Sequence, residues 1–412
     1  MGCTQPREEG LVSTSANSIT TTSTADEVLA IAAALTPVLR ERSVATNQAR
    51  RVPDETIRDL KESGLFKLLQ PIRYGGVEAD LETFSRAVMQ LSRGCGSAGW
   101  VFSVLSIHQW MMGMYPDEAQ NDVWGKNPGA LVASAFRPAG KVTPEKGGLR
   151  LSGSWGFASG CDNSEWIIVG AVTGMTGTPP HPLVKLFLVP MAEGRIDDNW
   201  HVFGLRGTGS KTVIFDNVFV PEHRLLDFVD AREARTPGRA VNPGPLYRLP
   251  AFAGFPICLC SPSVGIAWGA YERYVEYLQD RTSIARRKVA DFPAVQTRVA
   301  ESSAMIDSAE LLLRRDCREM MDLAIAGSEI PLTLRARFRR DQCYAPILAS
   351  QAIEKLLRAS GGQGLFDDFE IQHCYRDAYA TAAHIGTNWD AGSTLFGQIA
   401  LGAGMPEGFA WI

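Results

Sequence analysis

The stretch GLRGTGS at residues 204–210 is followed almost at once by TVIFDNVFVP at residues 212–221. A glycine-rich segment before a run of β-branched and aromatic residues predicts a tight turn that leads into a β-strand. Comparable β-rich runs, separated by Gly, Pro and Asp, lie at residues 149–153, 166–172 and 184–189. We therefore predict that residues 131–235 form a middle β domain, a small antiparallel barrel or sandwich.

The chain on both sides of this domain is helical in pattern. Thr24 and Glu27 form a capping-box pair and apolar residues follow at helical spacing, so residues 25–130 are predicted to be an N-terminal α-helical domain. Residues 236–412 hold four long helical stretches, the last at 371–399, which predict a C-terminal four-helix bundle domain. Residues 1–24 are rich in Ser and Thr and are expected to be a disordered tail. The predicted fold class is mainly α with a central β domain.

Composition and charge exclude several functional classes. The 412 residues are 45% hydrophobic, and the formal net charge of -4 gives no field that would attract nucleic acid or an anionic membrane. The eight cysteines include no CxxC pair, which argues against a zinc site and against a disulfide framework. We expect reduced thiols, a cytoplasmic location and no metal. No apolar run is judged long enough to span a membrane, so no membrane association is expected.

The segment GCGSAG at residues 94–99 satisfies the pattern GxGxxG. A dinucleotide-binding turn must follow a strand, so that the next helix begins at the pyrophosphate of the ligand. Here a helical pattern precedes the segment and no βαβ unit is present. The segment is predicted to be a turn between two helices.

Two further segments hold side chains that suit a flavin ring. That ring requires flat apolar walls and polar groups at its edge. WGFASG at residues 155–160 offers Trp155 and Ser159, and the GLRGTGS segment offers Thr208 and Ser210. Each of these residues is also common as a core aromatic or as a turn-forming hydroxyl, so no single one identifies the site.

Taken together and in order, the motifs resemble those of the acyl-CoA dehydrogenase superfamily. The segments that carry the resemblance are LQPIRYGG at 69–76, RGTGS at 206–210, FDNVFVP at 215–221, GGQG at 361–364 and YRD at 375–377. The resemblance implies an N-terminal helical domain, a middle β-barrel and a C-terminal four-helix bundle. It also implies a flavin between the β domain and the bundle, bound in a homotetramer.

One departure from the superfamily pattern concerns the catalytic base. Many acyl-CoA dehydrogenases place a Glu immediately before a Gly-Thr pair, whereas here Ile385 precedes Gly386 and Thr387. His384 stands beside it and resembles the C-terminal His of the two-component flavin-dependent monooxygenases, such as the oxygenase component of p-hydroxyphenylacetate hydroxylase. His108 matches that branch's His in the helical domain.

The same resemblance assigns further positions. Ser159 corresponds to the Ser near flavin N5, Ser134 to the Ser near the substrate, and Trp100 to an aromatic residue that lines the pocket. The resemblance therefore implies that His108, His384 and Ser159 are catalytic. A histidine with an ordinary imidazole pKa of about 6.5 suits the positioning and partial deprotonation of a phenol.

The predicted function is that of an oxygenase component that uses reduced flavin and O2, through a flavin hydroperoxide, to oxygenate a small aromatic or heteroaromatic substrate. A separate NAD(P)H:flavin reductase is expected, because the chain has no recognisable nicotinamide-binding fold. Two alternatives remain open: an acyl-CoA dehydrogenase with a displaced base, and a catalytically silent scaffold.

Two predictions concern arginines. Arg281, with Gln296 downstream, resembles the superfamily Arg that reaches the flavin of a neighbouring subunit, but the adjoining Phe-Gly of FAD-binding dehydrogenases is replaced by TSI at 282–284. This difference favours reduced FMN over reduced FAD, or else tolerance of either flavin. Four further arginines are predicted to form a solvated helix face: Arg335, Arg337, Arg339 and Arg340.

Overall fold

The computed structural model describes residues 18–178 and 180–404. In its N-terminal part the chain forms six helices: α1 (Ala25–Glu41), α2 (Ser43–Ala49), α3 (Asp54–Glu62), α4 (Leu81–Gly94), α5 (Gly96–Met112) and α6 (Asp117–Trp124). The predicted capping box is present, since the Thr24 hydroxyl accepts from the Glu27 N–H and the Glu27 carboxylate accepts from the Thr24 N–H. Packing begins earlier than predicted, because Ile19 is buried and its N–H donates to the Ser63 carbonyl. Residues 1–17 of the predicted tail lie outside the described residues.

Helix α5 is the centre of the helical domain, and every one of its residues is buried. It follows α4 after a single residue, Cys95, so the GxGxxG segment is the helix-to-helix turn that was predicted. Its glycines serve close packing. A Cβ on Gly99 would lie 2.0 Å from the Ser92 hydroxyl, and a Cβ on Gly96 would lie 2.8 Å from the Asp377 carboxylate.

Seven strands form the described part of the middle domain: β1 (Val132–Glu145), β2 (Gly148–Ala158), β3 (Trp166–Thr176), β4 (His181–Pro190), β5 (Arg195–Asp197), β6 (Lys211–Pro221) and β7 (Leu225–Asp227). Their order is β5-β6-β2-β1-β3-β4-β7. The first half of β1 pairs with β3 and its second half pairs with β2, so this strand joins two halves of the sheet. The β1–β3 pair is parallel, and the prediction of a wholly antiparallel domain was wrong at this pair.

A short helix, α7 (Phe228–Arg232), lies inside the range predicted for the β domain. The chain beyond residue 236 is helical, as predicted. Its helices are α8 (Ala251–Gly254), α9 (Ile257–Leu278), α10 (Pro293–Ala326), α11 (Leu332–Ala359), α12 (Glu370–Ala382) and α13 (Trp389–Ala400). The last predicted stretch, residues 371–399, is not one helix but two, α12 and α13. A turn at Ile385–Thr387 separates them, and this turn positions His384.

A second prediction, that no apolar segment is long enough to span a membrane, was wrong for residues 251–278, which include α9. This segment reaches the length and apolar character of a membrane span, with a mean hydropathy of 1.5, although no such segment was expected from the sequence. It is 94% buried inside the protein, where it packs against α4, α5, α11 and α12. Such burial is typical of the core helix of a bundle, which is apolar on all sides.

Candidate active site

The centre of the site is a row of hydroxyl groups where β2 and β6 meet. Ala158 at the end of β2 pairs with Lys211 at the start of β6, so the residues just beyond this pair come together. The Ser159 Oγ lies 2.7 Å from the Ser210 Oγ, and the Ser210 Oγ lies 2.6 Å from the Thr208 Oγ1. Three of the predicted flavin-binding residues therefore form one hydrogen-bonded group.

The direction of these hydrogen bonds follows from a count of protons. The Thr208 hydroxyl donates to the Leu205 carbonyl over 2.9 Å, which uses its single proton. Ser210 must then donate to Thr208, and Ser159 must donate to Ser210. The Ser159 oxygen also accepts from the Trp100 indole N–H at 3.0 Å, so one of its lone pairs remains for a further donor.

Trp100 connects this hydroxyl row to His384. The two rings lie 5.7 Å apart between centroids, at an angle of 56°. The His384 Nδ1 accepts from the Gly386 N–H over 2.9 Å, so in the neutral ring the proton is on Nε2. Burial, together with the nearby charge of Arg339, lowers the pKa of His384 to about 4. The imidazole is therefore uncharged at neutral pH.

His108 and Ser134 form a second group, two turns further along α5 from Trp100. The His108 Nδ1 lies 2.8 Å from the Val132 carbonyl, which can only accept, so the ring proton is on Nδ1. The His108 Nε2 lies 2.7 Å from the Ser134 Oγ and accepts its proton. Burial lowers the pKa of His108 to about 4, and only the bond to Val132 opposes this shift.

Two phenylalanines enclose His108. Phe255 stacks on the imidazole with centroids 5.9 Å apart, and Phe136 meets it edge-on at 6.0 Å. The two phenyl rings also contact each other at 5.2 Å. Together they form an apolar surround that suits an aromatic ligand beside the His108–Ser134 pair.

Residues from both helical domains hold the glycine-rich loop in place. The Leu205 N–H donates to the Asp377 carboxylate over 2.7 Å, and the Gly207 N–H donates to the Ser97 hydroxyl over 3.1 Å. Burial raises the pKa of Asp377 to about 6, and the bond from Leu205 opposes this effect. The resemblance motifs in the middle and C-terminal parts are thus in direct contact.

One predicted flavin-binding residue is placed elsewhere. Trp155 is 1% exposed inside the sheet, and its indole N–H donates to the Gly170 carbonyl over 2.9 Å. An irregularity in the pairing between Trp155 and Ala158 interrupts the strand alternation, so Trp155 faces the core. Phe157, which the sequence prediction omitted, is 74% exposed and has a φ of 63°. A bulky residue with this backbone conformation, two positions before Ser159, is a better candidate for a ligand wall.

The surroundings of Arg281 and Arg339 differ from those predicted. Arg281 lies over the Tyr277 ring at 4.7 Å and makes no contact with the hydroxyl row within the described chain. Arg339 is not on a solvated face, because it is only 4% exposed and donates to the carbonyls of Ile385 and Gly386.

Within residues 18–178 and 180–404, no group of three His, Cys, Asp or Glu residues is arranged to hold a metal ion.

Known proteins of similar sequence and structure are oxygenases. The chain is 38% identical over 366 residues to the flavin-dependent monooxygenase oxygenase subunit HsaA of Rhodococcus jostii, a match covering 88% of this chain and 95% of that one. It is 38% identical over 384 residues to the oxygenase component of an FADH(2)-dependent resorcinol hydroxylase of Rhizobium sp., covering 90% and 93%. The crystal structure of the HsaA monooxygenase of M. tuberculosis superposes with a TM-score of 0.88 at 36% identity, covering 95% of this chain and all of that one.

The fold and the site together define a flavoenzyme of the acyl-CoA dehydrogenase type. Residues 24–127 match the family model for the acyl-CoA dehydrogenase N-terminal domain, and residues 257–389 match the model for the C-terminal domain. The chain belongs to the flavin-dependent monooxygenase oxygenase subunits of this superfamily. The predicted fold class and the predicted superfamily branch are both confirmed.

Proposed function

We propose that the protein is the oxygenase component of a two-component flavin-dependent monooxygenase that acts on a small aromatic or heteroaromatic substrate. The observation that carries this proposal is the hydroxyl row that ends on Ser159, beside the Trp100–His384 pair. Family membership supports it, as does Ile385, an aliphatic and 72% exposed residue where a dehydrogenase would place its catalytic base.

The side chains of the site fit a reduced flavin. Ser159 would offer an oxygen lone pair to the N5–H group, which only the reduced ring carries. Trp100 and Phe157 would offer apolar surface, and the Ser210 hydroxyl accepts the Ser159 proton, so the Ser159 oxygen would act toward the flavin as an acceptor. When bound, reduced flavin supplies the two electrons with which one atom of O2 enters the substrate and the other leaves as water.

His108 and Ser134 suit the substrate side of the reaction. A phenol O–H donates to the Ser134 oxygen, while the Ser134 proton is already held by the His108 Nε2. If Ser134 takes the phenol proton, it passes its own proton to His108, and the Val132 carbonyl keeps the resulting imidazolium oriented. Phe136 and Phe255 exclude water from this pair, which favours the transfer of oxygen to the ring.

Further expectations follow from the same function. Relatives are named oxygenase subunits or components, which supports a separate partner, and we propose an NAD(P)H:flavin reductase that delivers reduced FMN or FAD. FMN remains the favoured flavin, because residues 282–284 beside Arg281 lack the Phe-Gly of FAD-binding dehydrogenases. We also expect a cytoplasmic homotetramer in which Arg281 contacts the flavin of a neighbouring subunit.

The test is to mix the protein with chemically reduced FMN or FAD and ¹⁸O₂ in the presence of phenols, indoles and thiophenes. Mass spectrometry should find one labelled oxygen atom in at least one product, and none when oxidised flavin is supplied. A dehydrogenase with a displaced base would instead bleach bound oxidised flavin on addition of an acyl-CoA. A silent scaffold would do neither, and either result would contradict the proposal.

A further inference from the structure

Arg339 differs from the other arginines of α11 in its surroundings. Arg335, Arg337 and Arg340 each pair with a carboxylate, those of Glu233, Glu319 and Asp341 respectively. Arg339 is 4% exposed, and no carboxylate lies within 4.0 Å of its guanidinium among the described residues. A buried charge without a counter-ion is costly, so its other contacts require a functional explanation.

Those contacts are with the turn that follows His384. The Arg339 Nη1 donates to the Gly386 carbonyl over 2.5 Å, and its Nη2 donates to the Ile385 carbonyl over 3.3 Å. The Ile385 carbonyl belongs to the same peptide group as the Gly386 N–H. That N–H donates to the His384 Nδ1, so one peptide group connects the guanidinium to the imidazole.

The turn has little freedom to adopt another arrangement. A Cβ on Gly386 would lie 2.3 Å from the Leu259 side chain of α9, so residue 386 is held against the bundle. The Thr387 hydroxyl lies within bonding distance of the Thr381 and His384 carbonyls, which closes the turn from the other side. Among the described residues, no hydrogen bond is made by the His384 Nε2, which leaves that N–H for a ligand.

We propose that Arg339 is a positioning residue that fixes His384 as an uncharged imidazole with its proton on Nε2. Two effects act in the same direction. The peptide group that Arg339 holds presents an N–H to Nδ1, which disfavours a proton there, and the guanidinium charge repels the charge of an imidazolium. Among the described residues, Arg339 is the charged group that acts on His384, while α5 presents Trp100 and α9 presents Leu259. The importance of this arrangement for oxygenation rests on the function proposed above.

The direct test is NMR of the protein with isotopically labelled histidine rings, followed from pH 7.5 to pH 4.5. The six histidines can be assigned by single substitution. In the wild type, His384 should keep Nδ1 unprotonated throughout most of this range. In Arg339→Gln its pKa should rise toward the ordinary imidazole value of about 6.5. Arg339→Lys keeps the positive charge but cannot donate to both carbonyls as a guanidinium does. The His384 pKa in Arg339→Lys should therefore lie between its values in the wild type and in Arg339→Gln.

Arg335→Gln is the matched control, because Arg335 lies one turn earlier on α11 and also donates to a carbonyl, that of Ile330. It should leave His384 unchanged. An unchanged His384 titration in Arg339→Gln overturns the proposal. So does an equal shift of His108 in that variant, because it would indicate general loosening of the fold.

The functional consequence is measured separately. In Arg339→Gln, product formed per O2 consumed should begin to fall at a higher pH than in the wild type, because the His384 ring would take up its proton at a higher pH in that variant. The NMR result does not depend on flavin or substrate. Failure of the proposed oxygenase function would therefore not alter it, whereas failure of the Arg339 proposal would show in the NMR result even if the enzyme is an active oxygenase.

Discussion

The indole N–H of Trp100 donates to the hydroxyl of Ser159 over 3.0 Å. This bond joins α5 of the helical domain to the end of β2, and it fixes the Ser159 oxygen as an acceptor from one side. Because the Ser159 proton is directed to Ser210, a ligand at this oxygen must bring a hydrogen-bond donor. Under the function proposed above, this oxygen would accept from the N5–H of a reduced flavin, a group that an oxidised flavin lacks.

Ser159→Ala should lower the product formed per O2 consumed by roughly tenfold, since a hydrogen bond of about 1.5 kcal/mol is lost. Hydrogen peroxide should rise to account for the missing oxygen. The measurement is an oxygen electrode combined with assays of product and peroxide. Ser154→Ala, at an exposed position of β2, serves as the control and should keep the wild-type ratio. An unchanged ratio in Ser159→Ala would remove this residue from the reaction.

His384→Ala should reduce oxygenation by about 10²-fold, the usual loss for a positioned acid–base group. Consumption of reduced flavin by O2 should continue, because the Ser159 row is still present. Rapid mixing of the reduced-flavin enzyme with O2, followed by quenching and product analysis, measures both steps. His181→Ala, at an exposed position of β4, is the control. If both steps slow equally and the melting temperature falls, His384 is a structural residue.

His108 gives a pH dependence of stability whose sign can be derived. Its pKa is about 4 in the folded protein and about 6.5 when unfolded, so the unfolded chain binds more protons between these values. The folded state should therefore lose stability as the pH falls from about 6.5 to about 4. His108→Gln has no such titration, so its melting temperature should decline less steeply than that of the wild type over this range. Parallel curves for the two proteins would contradict the burial of a neutral His108.

Phe157 and Trp155 should respond oppositely to truncation. Trp155→Ala should cost about 3–5 kcal/mol of unfolding free energy, because a fully buried indole is lost from the sheet. Phe157→Ala should change stability by less than about 0.5 kcal/mol, but weaken flavin binding by up to roughly tenfold. Denaturant unfolding and anaerobic flavin titration measure the two effects. Weaker flavin binding in Trp155→Phe with no change in Phe157→Ala would restore the original assignment of Trp155.

The contrast between these two aromatic residues shows where sequence reasoning reached its limit. Ser159, Thr208 and Ser210 were predicted together because they lie in adjoining motifs, and the structure brings them together. Trp155 was misplaced because strand alternation puts residues 155, 157 and 159 on one face, whereas the irregularity before Ala158 reverses the face. Gly156 lies inside the irregular stretch, and a glycine within a strand often marks a bulge, but it does not indicate which face the residues beyond it take.

Arg339 was missed for a different reason. A run of arginines on one helix is usually solvated, and local sequence cannot indicate which of them a distant segment covers. The segment that buries Arg339 is the turn after His384, and this turn was not predicted from the sequence either. Helical periodicity continues through residues 371–399, so the break between α12 and α13 was not predicted. The order and helical character of the outer domains, in contrast, followed from periodicity and motif order alone.

The hydrogen bond between the Leu205 N–H and the Asp377 carboxylate has a consequence for folding during translation. It joins residues 172 positions apart, and the ring contact of Trp100 with His384 joins residues even farther apart in the chain. Domains emerge in order during translation, at about 5–20 residues per second, and can fold as they appear. The helical and β domains can thus form early, together with the hydroxyl row, yet the glycine-rich loop lacks its bond to Asp377 and Trp100 lacks its contact with His384 until α12 and the turn beyond it have left the exit tunnel. A nascent chain that stalls before residue 384 would therefore hold the hydroxyl row without the His384 side of the site, so we expect the site to be completed late in synthesis.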